Sequence, residues 1–416
     1  MSSRRLPFAR LLAAGLLAGL AAPMHGDDAG ARFSISSTAT LETIYDTNVM
    51  LQSVTPLADI ESWVTSLAAQ VNADWRPGPH SSGRLSYAPT WTTFEARHSE
   101  DSLAQRINAS WNSRAWGATY AFQGSAAHVD RSDDPVIWTG PGGPPATGGA
   151  AVRDRRDQTV YRGTARAEWT IGTRFERPVA ALYIADYQTR TSTAPGCQNN
   201  VDRGDLSAGL DLGRTLRPGV SSYLGYRHGR QDQATVLDFR EEYDNRYHRF
   251  LAGLDGKLAS WLTVALSAGP EFRRYGPHVH ATFPDRSVTN LFVDATATIA
   301  ISRTDSLALL ARQFEQLSSS GRGAFEDLNL DLAWRHSFSP RTSGALVLHA
   351  YNTDILRPTV RNDWLYTARV AGSFAINDAW ALEAAITLET GESRVPRTAG
   401  REYDRQHVSL AVRAKL

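Results

Sequence analysis

The sequence predicts an all-β fold, a single antiparallel transmembrane β-barrel of about 18 strands (16–18), and three observations predict it. The first is alternation. Between Asn362 and Thr390, Trp364, Tyr366, Ala368, Val370, Gly372 and Phe374 alternate with Leu365, Thr367, Arg369, Ala371 and Ser373. After the turn-like AINDA, Trp380, Leu382, Ala384, Ile386 and Leu388 stand against Glu383, Thr387 and Glu389. Successive side chains of a strand point to opposite faces, so a period of two on both sides of a turn is a hairpin. One face stays apolar for roughly 10 residues, whereas strands of soluble proteins usually run about 5 or 6. The second observation is that short turns alternate with long polar connections. The third is that tryptophan gathers near the short turns, as it does where a barrel meets the membrane interface.

The chain has 416 residues, 42% of them hydrophobic, and a net charge of +1, which fits two soluble domains or one large barrel equally well. No basic block stands out, so nucleic acid is not expected as a partner. Arg4 and Arg5 precede the apolar run Leu11–Ala22, and Pro23–Gly30 then turns small and polar. This is the pattern of a secretory signal peptide, expected over residues 1–26, with cleavage after Ala21, Ala22 or Gly26. The run is shorter than the roughly 20 residues of a transmembrane anchor, and no later run reaches that length. An exported chain of this kind is soluble or a barrel, expected over residues 27–416. Cys197, in the loop-like TSTAPGCQNN, cannot form an intramolecular disulfide because it is the single cysteine.

Strand-like alternation begins at Phe33, Ile35, Ala39 and Leu41, and a second run carries Trp63, Leu67, Ala69, Val71, Ala73 and Trp75 on one face before RPGPHSSG. Next come Leu85, Tyr87 and Trp91, then Leu103, Ile107, Ala109 and Trp111. Trp116, Ala118, Tyr120 and Phe122 follow after NSRA, read as a turn between antiparallel neighbours. Val129–Asp157, with TGPGGPPATGG, cannot be a strand. It is expected to be the longest extracellular loop, disordered by composition or folded into a pore mouth. Alternation returns in Tyr161–Trp169, Val179–Tyr187, Leu206–Leu212, Val220–Tyr226, His248–Leu258 and Leu262–Phe272. It continues in Leu291–Ile301, Leu307–Ala311, Leu328–Trp334 and Ala345–Tyr351, and closes with His407–Leu416. The tight turns fall near Pro77, Arg114, Arg174, Pro218, Ala259, Thr304, Pro340 and Asn377, mostly about 35 to 45 residues apart, the length of two spanning strands and two connections. Trp75, Trp111, Trp116, Trp169, Trp261, Trp334 and Trp380 all lie within about six residues of one of them, which is what a periplasmic aromatic girdle requires.

About 16 to 18 strands enclose more space than their own side chains fill, so an aqueous lumen is expected. The alternation assigns Arg106, Arg162, Arg166, Glu168, Asp211, Arg249, Asp294, Asp327, Asp331, Arg335, Arg369, Glu383, Arg405 and Arg413 to the inner face. In lipid near the midplane each charge would cost up to about 2 to 4 kcal/mol. Any one of them could line a pore or simply be a solvated wall residue pairing with its neighbour. Catalysis has little support. His278 and His280 lie in a polar loop without further ligand spacing, and nothing selects a His/Ser pair from His228, His248, His336 or His349. No enzyme activity, cofactor or metal is predicted.

The stretch TLETIYDTNVMLQS, with Tyr45-Asp46-Thr47-Asn48-Val49, resembles the Tyr-Asp-x-Asn-Ile/Val entry of a family of outer-membrane β-barrel porins, some associated with exopolysaccharide or capsule gene clusters. The sharp motif is about five residues long, while the strand–turn rhythm of the whole mature chain fits the same family. The resemblance implies the bacterial outer membrane and brings no catalytic residues. Barrels of this kind commonly end in an aromatic residue, whereas this chain ends in Leu416. Expected partners are outer-membrane lipids, the barrel-assembly machinery during insertion, and small solutes or a polysaccharide. Two functions from different classes follow: a porin-like channel for small hydrophilic solutes or an exported polysaccharide, and a structural or receptor barrel with a closed lumen. An inward-folded, charge-lined segment favours the first, and a helical or N-terminal plug the second.

Overall fold

A computed structural model describes residues 32–49, 61–96, 98, 101–132, 156–187, 202–233, 243–279, 286–317, 324–355, 361–394 and 402–416. The proposed signal peptide, Cys197, His280 and residues 133–155 lie outside the described residues.

Eighteen strands follow one another: β1 (Arg32–Asp46), β2 (Ser62–Gly78), β3 (Ser81–Phe94), β4 (Ser102–Ala115), β5 (Ala118–Ser132), β6 (Arg156–Ile171), β7 (Arg174–Tyr187), β8 (Arg203–Arg217) and β9 (Val220–Gln233). Then come β10 (Asn245–Ala259), β11 (Leu262–Tyr275), β12 (Ser287–Ala300), β13 (Asp305–Leu317), β14 (Ala324–Ser337), β15 (Thr342–Ile355), β16 (Arg361–Ala375), β17 (Trp380–Arg394) and β18 (Tyr403–Lys415). Each pairs antiparallel with the next, and β18 pairs with β1 from Thr38↔Lys415 to Asp46↔His407, so the sheet closes. Closure removes every strand edge, which is the condition for crossing lipid with β structure. No helix among the described residues is long and apolar enough to cross a membrane.

The strands run beyond the stretches of alternation that mark them in the sequence. Residues 129–132 and 156–157, read from the sequence as loop, belong to β5 and β6. The turn read at NSRA lies one step later, at Trp116 and Gly117, so Trp116 is a turn residue and not part of a strand. Both have positive φ (51° and 74°), the backbone a two-residue hairpin of matching twist requires. Three four-residue turns share another device, in which one side chain caps the turn's own amides. Ser302 Oγ accepts from the amides of Thr304 and Asp305, Ser339 Oγ from those of Arg341 and Thr342, and Asn377 Oδ1 from those of Ala379 and Trp380.

The outward rows are apolar and exposed, as lipid contact demands: Leu41 pairs with Val412, Leu67 with Trp91, Val370 with Ile386. Trp116, Trp169, Trp261, Trp334 and Trp380 stand exposed at the short-turn end, and Trp63 and Trp91 at the other. The fold is thus a membrane-spanning barrel, with short turns and both ends of the strand array on one side and nine longer connections on the other.

The seam between β1 and β18 is locked by the Tyr45–Val49 stretch. Asp46, 2% exposed, accepts from the Arg405 guanidinium at 2.6 Å and 3.1 Å and lies 3.3 Å from His407 Nε2. Its Oδ1 also takes the Asn48 amide (2.9 Å), and the Asn48 side chain donates to the Asp404 carbonyl (3.0 Å). Val49 then packs inside with Val64, Phe94 and Ile44.

Candidate functional site: a narrowed, charged lumen

Registers carry all fourteen assigned charges onto the inner rows, where they fall into separate groups. Near the short turns, Asp211 is buried between Arg177 (2.9 Å) and Arg227 (2.6 Å), and Arg177 also reaches Glu168 (3.7 Å) and Asp255 (3.5 Å). On the opposite wall Arg335, Arg369, Glu383 and Arg413 line a polar cavity of about 730 Å³ at the short-turn end, with Arg413 and Glu383 paired at 3.1 Å. Arg312 holds Asp294 at 3.1 Å, His349 holds Asp331 at 2.5 Å, and Arg405 belongs to the seam. Arg106 and Arg166 stand on the inner faces of β4 and β6. Arg162, Arg249 and Asp327 join a group that the sequence does not delimit.

That group is built by a break in the wall. Pairing between β12 and β13 stops at Val293↔Gln313, although β12 continues to Ser287 and β13 to Leu317, while β13 and β14 stay paired to Leu317↔Ala324. Released from β12, the upper end of the β13–β14 hairpin curls inward and rests on the inner wall of β8 to β11. The Arg203 guanidinium donates to the Leu317 carbonyl, and Gln231 (3.4 Å) and Arg273 (2.9 Å) donate to the Glu315 carbonyl. Glu315 shares the parity of the outward Leu309 and Ala311, yet it is fully buried. The curl has laid that face against β11 and β12, where Tyr275 and Asn290 donate to its carboxylate. Arg273 is the hub, donating also to Glu271 (3.0 Å), Asn245 (2.8 Å) and Gln231. On the hairpin's other face Asp327 is fully buried and accepts from Tyr351, Gln316 and Thr353. Tyr243, Tyr275, Leu317 and Ala324 cover the tip with an apolar cluster. Each buried carboxylate has several donors, without which burial would cost several kcal/mol.

Below the curl lies a smaller cavity of about 300 Å³, bounded by β6 to β10 on one side and by Arg312, Phe314 and Gln316 of β13 on the other. A Cβ on Gly229 would sit 2.1 Å from the ring of Tyr247, which lines this cavity, so the glycine lets that tyrosine lie along the sheet. Guanidinium groups stack on the rings that line it: Arg249 is 4.3 Å from the centroids of Tyr247 and Phe292, and Arg162 and Arg203 are 5.5 and 5.6 Å from Tyr183.

Sequence reading misses Arg177, Arg203, Arg227, Arg273 and Arg312 for one reason. Each lies just beyond the stretch of apolar alternation that marks its strand: Val179–Tyr187, Leu206–Leu212, Val220–Tyr226, Leu262–Phe272 and Leu307–Ala311. Extending those strands at the same parity finds all five. Among the described residues no group of three or more His, Cys, Asp or Glu side chains could hold a metal ion.

No family model matches this chain, and no curated protein matches it. Among solved structures it is similar to the outer membrane protein OpdK from Pseudomonas aeruginosa, with 12% identity over 92% of this chain and 98% of that one and a TM-score of 0.44. It is similar also to OccK2 (OpdF) of the same organism, with 10% identity over 93% and 100% and a TM-score of 0.47. For OpdQ, again of Pseudomonas aeruginosa, the values are 11%, 92%, 98% and 0.43.

Proposed function

We propose that this chain is a porin-like channel of the bacterial outer membrane for passive passage of small hydrophilic solutes. The observation that carries the reading is the inward curl of the β13–β14 hairpin, a part of the wall that narrows the lumen and brings charged side chains to the narrowing. A closed barrel with apolar outer rows and charged inner rows calls for lipid outside and water inside. A residue-lined constriction set in a wide barrel then serves a solute that must be sorted by size and charge. Such a narrowing is poorly suited to a polymer, which ranks small solutes above exopolysaccharide export. The outer membrane follows from the barrel itself, which would be inserted by the barrel-assembly machinery.

The test is conductance. Folded protein in planar bilayers should give discrete steps, and replacing Phe314–Asp327 by a short turn should raise the step size by at least about twofold, since the narrowest part sets the resistance of a water-filled barrel. Silence from correctly folded protein, both intact and shortened, would reject the channel and leave a structural or receptor barrel.

A further inference from the structure

The outer face of the barrel is not apolar to its full height. Where β9, β10 and β11 approach the long connections, Arg230, Arg246 and Arg274 face outward as registered partners, Arg246 opposite both of the others, and all three are exposed. One row closer to the membrane centre stand His228, His248 and Phe272, and then Tyr226 and Phe250. The Tyr226 hydroxyl lies 2.7 Å from His248 Nδ1, and the Phe250 ring packs against Tyr226 and Phe272 with centroids 5.3 and 6.1 Å apart. From Trp261 at the short-turn end, β11 rises about 3.3 Å per residue at a tilt of about 40°, which carries Arg274 about 30 Å away, roughly the thickness of the hydrocarbon layer. The arginine row therefore sits at the level of the second membrane interface, with a band of rings beneath it.

This row is short of anions. Arg230 reaches Asp232 at 2.5 Å and Asp244 at 4.0 Å, and Asp244 also accepts the Gln233 amide (2.9 Å). Among the described residues the side chains of Arg246 and Arg274 have no ion pair and no hydrogen bond. Like charges directly opposite on neighbouring strands repel, their Cβ atoms standing about 5 Å apart. An anion between them turns the repulsion into a clamp, because each guanidinium presents a flat fork of N–H donors that matches phosphate oxygens.

We propose that Arg246 and Arg274, flanked by Arg230, form a site on the outer face of the barrel for a phosphate-bearing lipid. The phosphate bridges the two guanidinium groups, and the acyl chains descend over the rings of Phe272 and Phe250. The phosphate comes from the membrane and not from the water, because the row tops an apolar face that lipid covers. This site depends on the lipid-facing outer rows and is indifferent to whether the barrel conducts.

The test is native mass spectrometry of the folded full chain released from detergent. The probe is dioleoyl phosphatidic acid, compared with dioleoylglycerol, which has the same chains without the phosphate. Phosphatidic acid should bind at one preferred site at least about tenfold more tightly than dioleoylglycerol, the weight of a hydrogen bond to a charged group. Arg246→Gln combined with Arg274→Gln should abolish that preference. Arg394→Gln, an exposed outward arginine at the end of β17, should keep it. The double variant loses only a repulsion, so it should retain the heat-modifiable mobility of the folded barrel. In a second measurement, phosphatidic acid should raise the thermal unfolding midpoint in detergent for the unaltered protein and not for the double variant. Inorganic phosphate at about 10 mM should neither displace the lipid nor raise the midpoint. An equal rise with phosphate would overturn the lipid as its source. Dioleoylglycerol retained as well as phosphatidic acid would overturn the recognition of phosphate, and phosphatidic acid bound equally well by the double variant would overturn the site.

Discussion

At the scale of single residues, the side of the sheet decides what a charge costs. Leu330, 40% exposed, and Ala384 lie on outward rows, so Leu330→Arg and Ala384→Arg should impair assembly by about 2 to 4 kcal/mol each at mid-membrane, read as loss of the heat-modifiable band. Thr367→Arg, on the inner row beside His349, should fold normally. Asn329 is also inward, but it is 2% exposed and neither its amide nitrogen nor its oxygen finds a hydrogen-bond partner, so Asn329→Arg should fail although it faces no lipid. Parity alone would have made Asn329 and Thr367 equivalent. Arg273 gives the opposite kind of case, a charge that burial requires. Its side chain is fully buried between Glu271 and Glu315. Arg273→Ala should cost about 3 to 5 kcal/mol by leaving the buried Glu315 without its cation and Glu271 with Arg249 alone, measured as a lower urea midpoint in detergent. Arg273→Lys should rescue little, because an ammonium cannot reproduce the fork that reaches Glu271, Asn245 and the Glu315 carbonyl together.

At the scale of elements, two junctions depart from a uniform barrel. The seam has nine registered pairs between β1 and β18, against fifteen between β1 and β2, so its closure leans on side chains. Asp46→Ala should leave Arg405 and His407 facing an empty position and lower the temperature at which the folded band disappears. The loss should be on the order of 3 kcal/mol, and a double-mutant cycle with Arg405→Ala should show strong coupling. The second junction is the break at Val293↔Gln313. Its inner partners, Arg203, Gln231 and Arg273, come from β8, β9 and β11, so the hairpin end is held by strands that are not its neighbours in the sheet. Amide hydrogen exchange should find the end of β13 protected in the folded protein, and Arg203→Gln should lower that protection more than any change at the short turns.

For the whole molecule, the apolar outer rows and the closed hydrogen-bond ladder predict a barrel that resists SDS until heated and gives a β-rich circular dichroism spectrum in detergent. A water-soluble monomer without detergent would contradict the architecture. The lumen is divided along its axis: a polar cavity of about 730 Å³ at the short-turn end and the smaller, arginine-rich cavity of about 300 Å³ under the curl. Charge reversal in the two should therefore act differently. Arg369→Glu should change ion selectivity slightly, whereas Arg162→Glu, at the narrow cavity, should move the reversal potential clearly toward cations, because water screens charges over about 10 Å at 0.1 M salt only where there is room for it.

The sequence by itself determined a barrel of about 18 strands, the eight short turns to within a few residues, and the inner side of the fourteen charges assigned there. All three are local consequences of a period of two acting against lipid on one face and water on the other, and of turn residues such as Ser302, Ser339 and Asn377 bonding their own backbone. Tertiary structure alone decided which part of the wall leaves the barrel. Gln313–Leu317 alternates like any other strand end, and the segment whose Gly/Pro-rich composition reads as a disordered loop or a pore mouth is a different one, Val129–Asp157. What turns β13 inward is the set of donors waiting on the far wall, Arg203 at 114 residues' separation from Leu317, Gln231 at 84 from Glu315 and Arg273 at 42. A buried carbonyl or carboxylate is stable only where such partners converge, and their convergence exists only once the barrel has closed.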